Sequence, residues 1–336
     1  MNRLAASLIT SAVVIALAAC ADNPTEVVAP VSLQPMFSVD GNNAHIHVMP
    51  TKSMAQDALA QAQKNGAKGG NTGIYYHGGP ILYTTNVAAV YWAISPIYTN
   101  GPAAGTFSTS GNLGDNSLVG AFLRTLGGSA YFNINTTYYD GSNVHVQNVV
   151  NYTQYWANNT SVPADGASVT DAQMLSMLQS GFATGKLTYD RNTLYNIFTA
   201  GKVNLGGGFG TQYCAYHGHG TITVNGQSVT VLYSAMPYDY AYPSACTSGL
   251  ASPNADAGAN YEVNTLGHEI EETTTDQLGT AWYDRRGYEN ADKCAWTWGT
   301  TYTVNGGVAN MNIAGVDYLV QRNWVNSGNG GCALHL

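Results

Sequence analysis

Thr221-Ile222-Thr223-Val224-Asn225-Gly226-Gln227-Ser228-Val229-Thr230-Val231-Leu232-Tyr233 decides the architecture. Asn-Gly between alternating residues favours a tight type I′ turn, because both central positions need a positive φ. The passage therefore predicts a hairpin with strands over Thr221 to Val224 and Ser228 to Tyr233, and a β-rich fold around it. Upstream, Gly73 to Pro96 reads as strands Ile81 to Thr84 and Val87 to Ile94, introduced by Tyr75-Tyr76-His77-Gly78-Gly79-Pro80. Ser117 can cap a helix whose Leu118, Phe122 and Leu126 recur every four residues, closed by Gly127 and Gly128. Tyr131 to Tyr139, a turn at Asp140-Gly141 and Val144 to Val150 read as a second hairpin. Thr170 or Asp171 then caps a helix carrying Met174, Leu175, Leu178 and Phe182. Downstream come a turn at Asn305-Gly306-Gly307 and a strand near Val316 to Gln321. Helices and strands are interspersed without a strict βαβ rhythm, so the expected class is α+β: a mixed sheet with a few packed helices, loop-rich and stapled by disulfides.

The chain has three expected parts. Residues 1–19 carry Arg3 and then an apolar run ending in small residues, the pattern of a signal peptide and too short for a membrane anchor. Leu17-Ala18-Ala19-Cys20 resembles a bacterial lipobox, in which Cys20 would be acylated; the plainer alternative is a cut after Ala21. Residues 20–72 hold scattered prolines and little periodicity and read as a tether, with at most a short helix near Met54 to Gln63. Residues 73–336 are expected to form one globular domain. The destination is an outer-membrane or cell-surface lipoprotein, or a secreted protein.

Composition narrows the partners. Only 10% of residues are charged, with 23 tyrosines and 38 glycines, so hydroxyls and amides must wet the surface. A net charge of -8 without a basic run argues against nucleic acid, and leaves the membrane reachable only through a lipid on Cys20. The glycine run at Gly206 has no Lys-Ser or Lys-Thr pair behind it, which argues against nucleotides. Cys214, Cys246, Cys294 and Cys332 are even in number; of three connectivities, chain order favours Cys214 with Cys246 and Cys294 with Cys332.

Chemistry concentrates in one place. Eight of the 20 acidic residues (Glu262, Glu269, Glu271, Glu272, Asp276, Asp284, Glu289 and Asp292) fall within residues 262–292. Crowding them costs repulsion unless a cation, a proton or solvent relieves it. On a helix, His268 and Glu272 of Gly267-His268-Glu269-Ile270-Glu271-Glu272 lie one turn apart on one face. That is the spacing of an HExxH zinc helix, with Glu272 in place of the second histidine and Glu269 in the general-base position. The substitution weakens zinc and brings calcium into consideration. Glu289 is the expected third ligand, as in the gluzincin peptidases. Asp276, Asp292 and His217 are alternatives or supporting groups. His217 and His77 are candidates to complete the site, Tyr283 or His217 to stabilise an oxyanion, while His219 reads as lining a polar strand face. His45 and His47 fall in the expected tether and are assigned no role.

The order Tyr75 to Pro80, Tyr213-Cys214 with His217, Val263-Asn264-Thr265-Leu266, Trp282-Tyr283 with Cys294, and Tyr318-Leu319-Val320-Gln321 with Trp324 and Cys332 resembles the Exordium, or phosphate-induced protein 1, family over roughly residues 73–336. The resemblance implies a secreted, wall- or surface-associated protein, in plants connected with growth responses. Plant members carry apolar and small residues where this chain has His268, Glu269 and Glu272, so the acidic site rests on its own chemistry. The expected activity is a zinc-dependent, peptidase-like hydrolase acting on a polypeptide or cell-surface substrate. The alternative is a noncatalytic surface or glycan-binding protein holding structural calcium.

Overall fold

The computed structural model describes residues 36–39, 44–64 and 73–336; the expected signal segment and Cys20 lie outside them. The Asn225-Gly226 turn is where the sequence places it, with φ of 50° and 77°. It joins β8 (Tyr213–Val224) to β9 (Gln227–Pro237), and Val224 pairs with Gln227.

This hairpin sits inside an eight-stranded mixed sheet. The other strands are β1 (Met36–Val39), β2 (Ala44–Pro50), β4 (Thr85–Trp92), β5 (Phe107–Ser108), β6 (Val150–Asn158) and β7 (Thr193–Thr199), in the order β1-β2-β8-β9-β7-β4-β6-β5. The pairs β4/β6, β4/β7 and β7/β9 are parallel and the rest antiparallel. A two-stranded ribbon pairs β3 (Tyr75–Tyr76) with β10 (Trp282–Tyr283), and three short hairpins close the C-terminal part. Helices are α1 (Lys52–Lys64), α2 (Leu118–Thr125), α3 (Asp171–Ala183), the one-turn α4 (Pro243–Cys246) and α5 (Ala257–Thr275). Among the described residues no helix is long and apolar enough to cross a membrane.

Strand alternation sorts the side chains into two cores. Val87, Ala89 and Tyr91 of β4, with Leu194 and Phe198 of β7 and Leu232 and Met236 of β9, face Val263, Leu266 and Ile270 of α5. Ala88, Val90, Tyr195, Ile197, Val231 and Tyr233 face Met174, Leu175 and Leu178 of α3. The sheet is therefore covered on both sides. That explains why β7 has no polar alternation to read, since all seven of its residues are buried.

The helix caps follow the sequence. Ser117 accepts from the Gly120 amide, and Thr170 forms a capping box with Gln173. The reading of Tyr131 to Tyr139 and Val144 to Val150 as a hairpin does not hold. Phe132–Thr137 is a 3-10 helix, and only Tyr139 and His145 form a bridge across the Asp140 turn. Phe132, Ile134, Asn135 and Thr137 are all buried, a pattern with no strand period. Ile81 to Thr84 is likewise not a strand.

The larger difference lies in the expected tether. β1, β2 and α1 all fall within residues 20–72, and the sheet continues through β2 at the edge of β8. The short helix expected near Met54 to Gln63 is present as part of α1. Ile46 and Val48 join the α3-side core, while Met49 packs with Cys214 and Trp296. The Pro50 carbonyl accepts from Trp296 Nε1 at 2.8 Å. Burying each of these apolar side chains contributes about 1.5–3 kcal/mol. A chain truncated to residues 73–336 is therefore expected to melt well below one spanning residues 34–336; equal melting temperatures in calorimetry would contradict the placement of β2.

Candidate metal centre

Alternation on β2 and β8 puts two histidines beneath the sheet on the α5 side. In β2, Ile46 and Val48 take one face, so His47 takes the other; in β8, Tyr216 takes the first face and His217 the second. His47 and His217 are register partners across the strands, and their rings stack with centroids 5.4 Å apart. Directly opposite runs α5.

α5 is a 19-residue helix with almost no exposed residue. The Asp256 side chain caps it by accepting from the Ala259 amide at 2.9 Å, worth about 1 kcal/mol. Ala259, Val263, Leu266 and Ile270 form its apolar stripe. Thr273 and Thr274, poor helix formers on their own, satisfy their hydroxyls on the Glu269 and Ile270 carbonyls one turn back. Asp276 stops the helix: its Oδ1 accepts from the amides of Thr280 at 2.6 Å and Ala281 at 2.7 Å. Asp276 thus has a structural duty, although its Oδ2 is buried without a hydrogen bond. Of the adjacent pair, Glu272 faces the histidines and Glu271 faces Tyr131, Tyr138 and Asn135.

The third wall is the segment after β10. Asp284 folds a turn by accepting from the Arg286 and Tyr288 amides, and the chain returns through Glu289 to Asp292 at the start of a short 3-10 helix. The Asp292 amide donates to Glu272 Oε1 at 3.0 Å. Two disulfides hold the walls in place: Cys214–Cys246 begins the β8 run that carries His217, and Cys294–Cys332 follows Asp292. Both pairings are those favoured by chain order.

His47, His217, His268, Glu269, Glu272, Glu289 and Asp292 converge here, and none is more than 8% exposed. His47 Nε2 lies 2.7 Å from Asp292 Oδ2 and 3.7 Å from Glu272 Oε2, while its Nδ1 is 3.2 Å from Glu289 Oε1. His217 Nδ1 lies 3.1 Å from Glu269 Oε2 and 3.6 Å from Glu272 Oε2. His268 Nε2 is 3.1 Å from Glu272 Oε1 and 3.6 Å from Asp292 Oδ1. Several of these atoms, close as they are, make no hydrogen bond: His47 Nδ1, His268 Nε2, Glu269 Oε1, Glu272 Oε2, both Glu289 oxygens and Asp292 Oδ1. Donors and acceptors that approach without hydrogen-bond alignment, in a buried place, point at a common centre. Two triads have ligand atoms all within 4.8 Å of one another: His47, Glu272 and Asp292, and His217, Glu272 and Glu289.

Of the residues singled out from sequence, His268, Glu269, Glu272, Glu289, Asp292 and His217 are all brought together. His47 is the residue that sequence reasoning passed over. The alternation His45-Ile46-His47-Val48 was its signal, matched by Tyr216-His217 on the partner strand. His268 is placed differently from an HExxH ligand. Gln321 Nε2 donates to the Ala291 carbonyl at 2.9 Å and sits 3.0 Å from His268 Nδ1, so that ring nitrogen meets a donor. A ligating imidazole instead turns its spare N–H toward an acceptor. The Nδ1 side of His268 is thus taken by Gln321, while its Nε2 lies 3.1 Å from Glu272 Oε1 without a hydrogen bond. His77, just after β3, lies against Tyr283 with the rings tilted by 42°, and His219 stacks on His45; neither joins the cluster.

The electrostatics are those of carboxylates lacking a counter-charge. Burial opposes charge on His47, but Asp292, Glu272 and Glu269 outweigh it and raise its pKa to about 9. Burial dominates at His217 and, with repulsion from His47 and His268, pushes it well below the usual imidazole range. Burial, then neighbouring carboxylates, drives Glu269 and Glu289 well above the carboxylate range and raises Glu272. Without a cation, protons must take its place. Each raised group contributes stability that is complete below its unfolded pKa, near 4.5 for glutamate, and is lost as pH rises through its folded value, about 9 for His47. Metal-stripped protein is expected to lose stability from about pH 5 to 9, whereas a divalent ion competes with the same protons and stabilises more as pH rises. Melting temperatures of chelated and zinc-loaded protein should therefore diverge with pH; a constant gap would contradict this assignment.

No curated protein and no solved structure matches the chain. The family model for the phosphate-induced protein 1 conserved region matches residues 74–321. That span includes His217, His268, Glu269, Glu272, Glu289 and Asp292 and leaves out His47. Covering most of the chain, the match shows that it belongs to the phosphate-induced protein 1 family.

Proposed function

We propose that this chain is an exported protein whose α5 helix carries a divalent-metal hydrolytic centre of peptidase-like chemistry. The observation that carries the reading is the convergence of His47, His217, Glu272, Glu289 and Asp292, with buried oxygens and nitrogens lacking hydrogen bonds. The two disulfides support export, since such bonds persist in oxidising compartments. A lipid on Cys20 would be its route to a membrane.

The donor set favours zinc or a similar transition ion over calcium. Imidazole nitrogens suit zinc, while calcium prefers a cage of oxygens. When bound, such an ion supplies a Lewis acid that acidifies water and polarises a carbonyl. Glu269 is the proposed base: Oε1 is buried and without a hydrogen bond, and Oε2 is held 3.1 Å from His217 Nδ1. It would take a proton from water as the water oxygen adds to an amide carbonyl, and deliver that proton to the departing nitrogen when the C–N bond breaks. Tyr283, on the β3–β10 ribbon near enough to Asp276 and Glu289 for their charge to act on it, is the proposed donor to the developing oxyanion.

A noncatalytic reading has two observations in its favour. The cluster is closed, with its ligands buried, as in a structural ion site. A separate cleft of about 530 Å³ opens on the α3 side at the carboxyl ends of β4 and β6, lined by Trp92, Trp156, Asn158, Thr160 and Gln173, residues suited to a sugar. Glu269→Gln separates the two. For the hydrolase, it is expected to lower release of new amino termini from a broad peptide set by at least about 100-fold while metal content is unchanged. A wild-type protein that binds metal yet cleaves nothing, or a variant of undiminished activity, would overturn the catalytic reading.

A further inference from the structure

We infer that the centre holds two divalent cations that share Glu272. The inference rests on the metal-centre reading and deepens it. The two ligand triads have a single residue in common: His47, Glu272 and Asp292 form one, and His217, Glu272 and Glu289 form the other. Glu272 Oε2 lies between the imidazoles, 3.7 Å from His47 Nε2 and 3.6 Å from His217 Nδ1. The strands supply that spacing, because register partners on β2 and β8 present two stacked rings 5.4 Å apart. Ions in paired hydrolytic sites sit about 3.5–4 Å apart, a separation one carboxylate can bridge.

Charge and donor count both argue against a single ion. Glu269, Glu272, Glu289 and Asp292 together carry four negative charges when ionised, and their ion pairs are with histidines. One divalent cation leaves two of those charges uncompensated in a place no more than 8% exposed. Two divalent cations neutralise all four with the imidazoles uncharged, which removes the cost of isolated buried ions. One tetrahedral ion would also use four donors and leave both oxygens of Glu289 or Asp292 Oδ1 still unmatched.

The test is the metal stoichiometry of the full chain, purified, stripped with chelator, reloaded with Zn2+ or Mn2+ and measured by elemental analysis. The expected result is two ions per chain, falling to one in His47→Ala and to one in His217→Ala. With Mn2+, electron paramagnetic resonance is expected to show an exchange-coupled pair. Saturation at one ion would overturn the shared site while leaving a one-ion centre standing. Two uncoupled ions would overturn the bridge through Glu272. No bound ion would overturn both this inference and the reading beneath it. The wild-type measurement needs no variant to fold, and circular dichroism of each variant shows whether its loss of metal is local.

Discussion

The fold is organised around a cost: four carboxylates and three imidazoles are taken out of water between α5, the β2/β8 edge and the Asp284–Cys294 segment. Each uncompensated buried charge costs several kcal/mol. A chain with only 10% charged residues places this density at the centre of its α5-side core instead of on a solvated face. The surrounding structure is rigid where the cluster needs it. One disulfide starts the strand of His217, the other follows Asp292, and threonines along α5 satisfy themselves so that the glutamates remain directed at the centre.

Much of this was legible. Asn225-Gly226 specified the hairpin because few residues tolerate positive φ twice in succession. Ser117 and Thr170 announced two helices through side chains that cap the first turn. The acidic density of residues 262–292 pointed to the site, and four of its members, Glu269, Glu272, Glu289 and Asp292, do meet. The disulfides followed chain order because each closes a local loop of 32 or 38 residues.

What escaped did so for physical reasons. Fully buried β7 has no polar alternation to betray it, and Tyr131 to Tyr139 has aromatic residues that favour a strand yet packs as a 3-10 helix. His47 was hidden because β2 is short and stands amid proline-rich, polar sequence that resembles a tether. Its pairing with β8 spans about 170 residues, and no local pattern announces a contact of that range. His268 shows how a distant residue conditions a local motif. Its spacing to Glu272 fits a metal helix, but the Gln321 amide, more than 50 residues away, sets how its ring is used.

The central claim is that a cation, and not protons, compensates the Glu272 cluster. Anomalous diffraction at the zinc edge, from crystals of the full chain grown with Zn2+ at about pH 7.5, tests it most directly. The account predicts anomalous density about 2.0–2.2 Å from oxygens of Glu272 and nitrogens of His47 or His217. A map with no such density there, and carboxyl groups paired with one another through short hydrogen bonds, would contradict it.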